Sequence, residues 1–253
     1  MHKKLFVEGL LGKTFKILNG FPSYITFEQK EKPTGLISEQ DLTNLLDLCS
    51  KWGLERIGVS LERTAAEFDY LSELFLRNGF EHFSSRIEVY KDLTNLDKGE
   101  TPFTYAALAD QSYSESEFKS LWESCMSGSD NKPSSLTMDQ HLMSVKSELG
   151  EDWEESCHVY YLQNNPIGIS IPHLEPGTMD EGRLFYFGLI PEARGQGFST
   201  ALHLQSLLTL KEMGATYYIG STEIANKKMK RVFEKNDCIT RTQTESYYKY
   251  FSN

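Results

Sequence analysis

The sequence predicts an α/β (α+β) fold arranged as two successive units, and three observations predict it. First, the run Arg183–Leu210 changes hydrophobic period part-way. Arg183–Ile190 is an apolar, aromatic stretch of strand length, Pro191–Gly197 is a turn with two glycines, and Phe198 opens a helical spacing that Gly214 stops. Second, the order helix, glycine, strand, helix occurs twice, ending in Phe75–Phe80 (FLRNGF) and, 158 residues later, in Phe233–Cys238 (FEKNDC). Third, the polar, turn-rich Thr94–Thr101 (TNLDKGET) separates the two occurrences, which puts a first domain at 1–98 and a second at 99–253.

Taken in order, Leu5–Phe27 holds short apolar runs broken by Gly9, Gly12, Gly20 and Pro22, and reads as short strands or a hairpin. Lys30–Gly35 is a polar loop. Ser38 with Asp41 opens a helix whose Leu42, Leu45, Leu46 and Cys49 share one face, and Gly53 ends it. Arg56–Leu61 is a strand, a second helix runs from Thr64 through Phe75 to Gly79, and Phe83–Tyr90 is a further strand. The second unit opens with the strand Phe103–Leu108. A helix capped by Ser116, the loop Met126–Ser135 and a helix from Thr137 follow. His158–Leu162 and Ile167–Ile171 form a hairpin about Gln163–Pro166, Pro172–Gly182 is a loop, and Thr216–Ser221 is a strand. The tail Thr240–Phe251, with Tyr247, Tyr248 and Tyr250, reads as a final hairpin arm.

Composition excludes several classes. The 253 residues are 39% hydrophobic and 25% charged, an ordinary globular balance, and no apolar run approaches membrane-spanning length. Glu8, Lys13 and Lys16 interrupt any leader-like apolar core near the start, so a cytoplasmic protein with no membrane partner is expected. Cys49, Cys125, Cys157 and Cys238 are far apart, without C-x-x-C, and the histidines show no H-x-x-x-H pair, so no metal is expected. His203 reads as a surface or packing residue. The net charge of −10 is uneven: residues 99–182 carry 3 basic and 15 acidic side chains, residues 183–253 carry 10 and 6. The basic section suits an anionic ligand and the acidic one a cationic acceptor. No extended basic stripe supports nucleic-acid binding.

A glycine turn opening a helix is a cradle for phosphate, because the first amides of the helix are free and the dipole is positive there. A Walker loop would need Gly-Lys-Ser/Thr after the turn, and a Rossmann loop an acidic residue after the next strand; neither is present. The spacing that matches is Arg194-x-x-Gly197-x-Ser199. It is joined by Asn226, then Phe233 seven residues later, followed by Glu234 and Lys235. Together these resemble the acyl-CoA loop and the following helix of the GNAT superfamily of N-acetyltransferases, over roughly Thr101–Asn253. The departures are Ser199 for the final small residue, Asp237 and Cys238 for Gly-Phe, and Phe233 where the family usually has tyrosine. The repeated order makes the whole a tandem, with a shortened, degenerate first unit.

The resemblance implies a central mixed, mostly antiparallel twisted sheet flanked by helices, preceded by a smaller GNAT-like half. It implies acetyl-CoA as cosubstrate and an amine, small-molecule or peptidyl, as acceptor, with direct transfer. A homodimer is compatible with it. Phe187, Gly188, Leu189, Arg194, Gly195, Gln196, Gly197, Phe198, Ser199, Thr200, Asn226 and Phe233 would hold the cosubstrate. Phe187–Leu189 would splay from the neighbouring strand, the Leu189 N–H would face the thioester oxygen, and Gly188 is compatible with a bulge. Glu181 and Glu223 are the candidate bases. With no hydroxyl at Phe233, protonation of the leaving thiolate falls to water or to Tyr247, Tyr248 or Tyr250, and a non-catalytic acyl-CoA-binding module is the alternative function. Transfer of a longer acyl group is a third reading. The first unit, with Pro33–Gly35 in place of the loop, should bind CoA poorly and help shape the acceptor site.

Overall fold

The structure, a computed structural model, describes residues 2–20, 24–30, 32–97, 102–131, 133–134 and 136–251; the boundary expected between residues 98 and 99, and Pro22, lie outside them. The elements are, in order, α1 (His2–Leu11), β1 (Phe15–Gly20), β2 (Tyr24–Gln29), α2 (Glu39–Lys51), β3 (Arg56–Glu62), α3 (Phe68–Arg77) and β4 (Glu81–Asp92). Then come β5 (Thr104–Ala107), α4 (Glu115–Met126), α5 (Met138–Leu149), α6 (Trp153–Ser156), β6 (His158–Leu162), β7 (Asn165–Leu174) and β8 (Glu181–Leu189). The chain closes with α7 (Phe198–Glu212), β9 (Tyr217–Glu223), α8 (Lys227–Lys235) and β10 (Ile239–Tyr250). Among the described residues no helix is long and apolar enough to cross a membrane.

Two compact units result, Met1–Ile87 with Thr242–Asn253, and Glu88–Arg241. The tail therefore groups with the first unit, not the second, and is one long strand rather than a hairpin arm. Pairing explains this: β10 runs antiparallel to β3 from Thr244↔Glu62 to Tyr250↔Arg56, and Tyr247 is buried in the first unit's core.

In the first unit β1 and β2 form the expected hairpin, and β2 and β3 are parallel, joined by α2. The start of the chain is a helix where strands were expected. Val7 and Leu11, one turn apart, are buried, so the apolar residues serve a helical face that Gly9 does not break. Ser38 and Asp41 form the expected capping box on α2.

In the second unit β5, β6, β7 and β8 are successively antiparallel, and β8 and β9 are parallel, joined by α7. The sheet is thus mixed and mostly antiparallel. Phe118, Trp122, Leu142 and Val145 of α4 and α5 pack on Val159, Ile169 and Ile171. Leu202 of α7 packs with Tyr160 and Leu189. The cap of α4 is Ser114, whose partner is Glu117; Ser116 lacks an acceptor three residues on and was the wrong serine. β7 and β8 extend into the loop expected at Pro172–Gly182, leaving only 175–180 between them.

The repeated endings share one local geometry. The Phe80 N–H bonds the Phe75 carbonyl (3.1 Å) and the Cys238 N–H bonds the Phe233 carbonyl (2.9 Å), each closing a helix through a left-handed residue, Gly79 (φ 79°) or Asp237 (φ 52°). A β-carbon is strained there, which is why glycine is usual. Asp237→Gly is expected to raise stability by about 0.5 kcal/mol, read as a higher denaturant midpoint at unchanged slope.

Candidate active site

The site lies wholly in the second unit, at the C-terminal end of β8. Strands β8 and β9 pair only at Glu181↔Tyr217 and Gly182↔Tyr218. Beyond that they part, and residues 183–188 of what should be a central strand are only half-buried. The first unit's equivalent pair, β2 and β3, stays registered over five positions from Tyr24↔Arg56 to Glu28↔Ser60. A bulge accompanies the opening: the β7–β8 register shifts between Ser170↔Phe187 and Pro172↔Leu184. The extra residue is at Phe185–Tyr186, not at Gly188, and a bulge bends and twists the strand that carries it. Gly168 permits close approach here, since a β-carbon on it would stand 2.4 Å from the Gly188 carbonyl oxygen.

The Ile190 N–H donates to the Ile167 carbonyl of β7 (3.0 Å). By the alternation of an antiparallel ladder, the Leu189 and Phe187 N–H groups face away from β7, into the gap toward β9. The Leu189 carbonyl faces the same way but is taken, accepting from Arg194 Nε at 3.0 Å.

Gly195 and Gly197 adopt φ 74° and 82°, and Gly197 caps α7 with no side chain. The amides of Phe198, Ser199 and Thr200 thus open the helix without a side-chain acceptor, and no acidic residue stands in the first turn. A β-carbon built on either glycine meets nothing within 4 Å, so the space above the turn is clear. Gln196 folds back, its Nε2 donating to the Glu192 carbonyl at 2.9 Å. By contrast α2 is capped by Ser38 and carries Glu39 and Asp41 in its first turn, which repels an anion.

Arg194 is not a free rim cation. Its Nη1 donates to the Ser127 carbonyl (2.7 Å) and its Nη2 to the Cys125 carbonyl (2.9 Å), besides the bond to Leu189. It clamps the end of α4 to the end of β8. These partners lie 67 and 69 residues away in sequence, and no spacing rule reveals them. Asn226 is likewise engaged: its Oδ1 caps α8 through the Met229 N–H (2.9 Å) and its Nδ2 donates to Asn131 (2.7 Å). Lys228 pairs with Asp130 at 2.9 Å, so the α4–α5 loop is tied both to Arg194 and to α8. The first half of α8 carries Lys227, Lys228, Lys230 and Arg231 with no acidic residue in its first turn, against its own dipole.

Phe233 is buried and stands edge-on to His203, ring centroids 5.6 Å apart. His203 is fully buried rather than superficial, caged also by Phe187 (5.4 Å) and Tyr218 (5.4 Å). Burial pushes its pKa down to about 3, so it stays neutral. The Asn236 amide donates to His203 Nδ1 (2.8 Å) and to the Thr200 carbonyl (3.0 Å), fixing the start of α7.

The two candidate bases separate. Glu181 begins β8, about 26 Å along the strand from Leu189 at ~3.3 Å per residue, and is locked by Arg183 Nε (2.6 Å) and the Tyr217 hydroxyl (3.0 Å). Glu181 thus stands at the paired end of β8 and β9, away from the opening. Glu223 ends β9 at the open end. Extending the Glu181↔Tyr217 register brings it level with the Phe187 end of β8. Cys125 lies beside Arg194, which sequence reading missed, but burial pushes its thiol up to about 12. Cys238 is pushed up to about 12 for the same reason, so neither is a ready nucleophile.

No protein-family model matches the sequence, and no curated protein matches it. Solved structures do match in fold. A GCN5-related N-acetyltransferase from Sphaerobacter thermophilus superposes with TM-score 0.64 at 12% identity, over 93% of this chain and 76% of that one. A GNAT-family acetyltransferase from Colwellia psychrerythraea gives 0.59 at 16%, over 94% and 81%. A tandem GNAT protein from the clavulanic acid biosynthesis pathway gives 0.53 at 10%, over 95% and 80%. At these identities the likeness is one of fold, and the fold is that of the GCN5-related N-acetyltransferases.

Proposed function

We propose, from the premise that this chain carries the GNAT fold, that the second unit binds acetyl-CoA and catalyses acetyl transfer to an amine. The observation that carries the reading is the parting of β8 from β9 beside an uncapped, glycine-opened helix. In this reading the α7 amides at Phe198, Ser199 and Thr200 hold the diphosphate. The α8 cations Lys227, Lys230 and Arg231 add attraction, and the Phe187 and Leu189 N–H groups face the pantetheine arm and thioester. Bound acetyl-CoA supplies an activated acyl group. Leu189 N–H donates to the carbonyl oxygen where negative charge develops. Glu223, directly or through one water, takes the proton that the acceptor ammonium must lose before it attacks. A thiol has a pKa near ~8.5, so its anion leaves acceptably without an acid at Phe233. Arg194 and Asn226 act by positioning. The first unit is a degenerate GNAT-like half: its strands are not parted and its α2 amides are already capped by Ser38.

The test is release of free thiol from acetyl-CoA across a library of amines. Turnover with at least one amine is expected, with kcat/KM falling roughly 100-fold in Glu223→Gln and staying within about twofold in Glu181→Gln, which lies far from the acyl position. Equal losses in the two variants would refute the assignment of the base. The buried phenyl ring at Phe233 favours a second reading, a non-catalytic acyl-CoA-binding module, which is the outcome if CoA binds and no amine supports release.

A further inference from the structure

We propose that Glu148, His173 and Glu175 form a binding site for one divalent cation of the zinc class. Glu148 comes from the end of α5, His173 from β7, and Glu175 from the residue just past β7. The three are brought together by the fold; residue 148 is 25 positions from residue 173, far outside any short ligand spacing.

Several features converge. His173 is 4% exposed, and neither of its ring nitrogens makes a hydrogen bond of ordinary geometry, although the Ile171 backbone and the Glu175 carboxylate act on the ring. A buried polar group without a partner is unusual in a native protein and calls for a ligand or water. Its Nε2 is aimed at two carboxylates, 3.5 Å from Glu148 Oε1 and 3.8 Å from Glu175 Oε2. Those separations are long for charge-assisted hydrogen bonds, which run about 2.7–2.9 Å. They are near the ~3.3–3.6 Å edges of a tetrahedron with metal–ligand bonds of about 2.0–2.2 Å. All three donor atoms lie within 4.8 Å of one another.

Charge agrees with geometry. Arg183 Nε lies 2.6 Å from Glu181 and 3.2 Å from Glu175, which holds Glu175 in place, and Glu88 also acts on this arginine. The local excess of carboxylates over this one cation suits a divalent ion. An imidazole in the donor set favours zinc, cobalt or nickel over magnesium and calcium, which take oxygen. Glu148 and Glu175 side chains are 43% and 34% exposed, which gives the ion a route in and leaves a fourth position to water. The site is separate from the acyl position: His173 pairs with Arg183, about 20 Å along β8 from Leu189 at ~3.3 Å per residue. It stands whether or not the chain transfers acyl groups.

The experiment is titration of the tag-free, chelator-stripped full chain with Co2+, read by visible absorption, followed by displacement with Zn2+. One equivalent is expected to give the intense band of a four-coordinate Co2+ ion, and Zn2+ to abolish it. Glu148→Gln, at an exposed helical position that does not threaten folding, and Glu175→Gln should each weaken Co2+ binding at least tenfold with unchanged circular dichroism. His173→Gln should remove the band. Absence of a saturable one-equivalent signal, Co2+ affinity unchanged in Glu148→Gln and Glu175→Gln, or displacement by Mg2+ as readily as by Zn2+ would each overturn the proposal.

Discussion

Ser199→Asp is expected to weaken CoA binding at least 100-fold while leaving the protein as stable as before or slightly more so. Ser199 is the second residue of α7, half-buried beside the uncapped turn. A carboxylate there complements the helix dipole, worth about 0.3–1 kcal/mol to the fold. In the proposed binding mode the same charge stands where the diphosphate would be held. At ~4 Å and an effective dielectric near 20, two unit charges repel by about 4 kcal/mol, more than the ~2.7 kcal/mol of a hundredfold loss. Calorimetric titration with CoA and thermal unfolding should therefore move in opposite directions. An affinity unchanged by this carboxylate would place the diphosphate elsewhere.

The second large effect is expected at Arg194. Arg194→Ala strips donors from three carbonyls at once, those of Leu189, Cys125 and Ser127. Hydrogen bonds to a charged group are worth about 1.5–3 kcal/mol each, and solvent can replace the outermost, so a loss of about 2–4 kcal/mol is expected in chemical denaturation. CoA affinity should fall as well, because the carbonyl end of β8 and the end of α4 lose their shared anchor. Arg194→Lys should recover only part of either loss, since an ammonium cannot span three acceptors as a guanidinium fork does. A stability equal to wild type in Arg194→Ala would show that the clamp carries no weight.

The contrast between these residues shows what was legible in the sequence. The glycine turn, the uncapped helix start and the Asn226–Phe233 spacing are local, and local chemistry is written in consecutive residues. Thr137 with Gln140 and Ser38 with Asp41 cap their helices as their three-residue spacing requires. Arg194 was legible as a cation but not as a clamp, because its partners come from α4. Glu181 and Glu223 looked equivalent in sequence. Only the direction of β8 and β9, and the end at which they part, separates a distant ion-paired glutamate from one at the opening. His203 sits on a helix with seven buried residues, among them Ser206 and Thr209, which bond back to the Leu202 and Gln205 carbonyls. A helix buried on nearly every side shows little periodicity to mark its core residues. The tail was misgrouped because strand pairing between residues 182 to 194 positions apart has no local signature.

The central claim is that the α7 amides and the freed β8 amides grip one CoA molecule. Titration of the 15N-labelled protein with CoA, followed by amide NMR, tests it most directly. The account predicts that the signals of Gly195 to Thr200 and of Phe187 and Leu189 shift together along one saturation curve, while those at the capped start of α2 stay still. Saturable CoA binding that moves other amides and leaves these unchanged, or no binding at all by the folded chain, would contradict it.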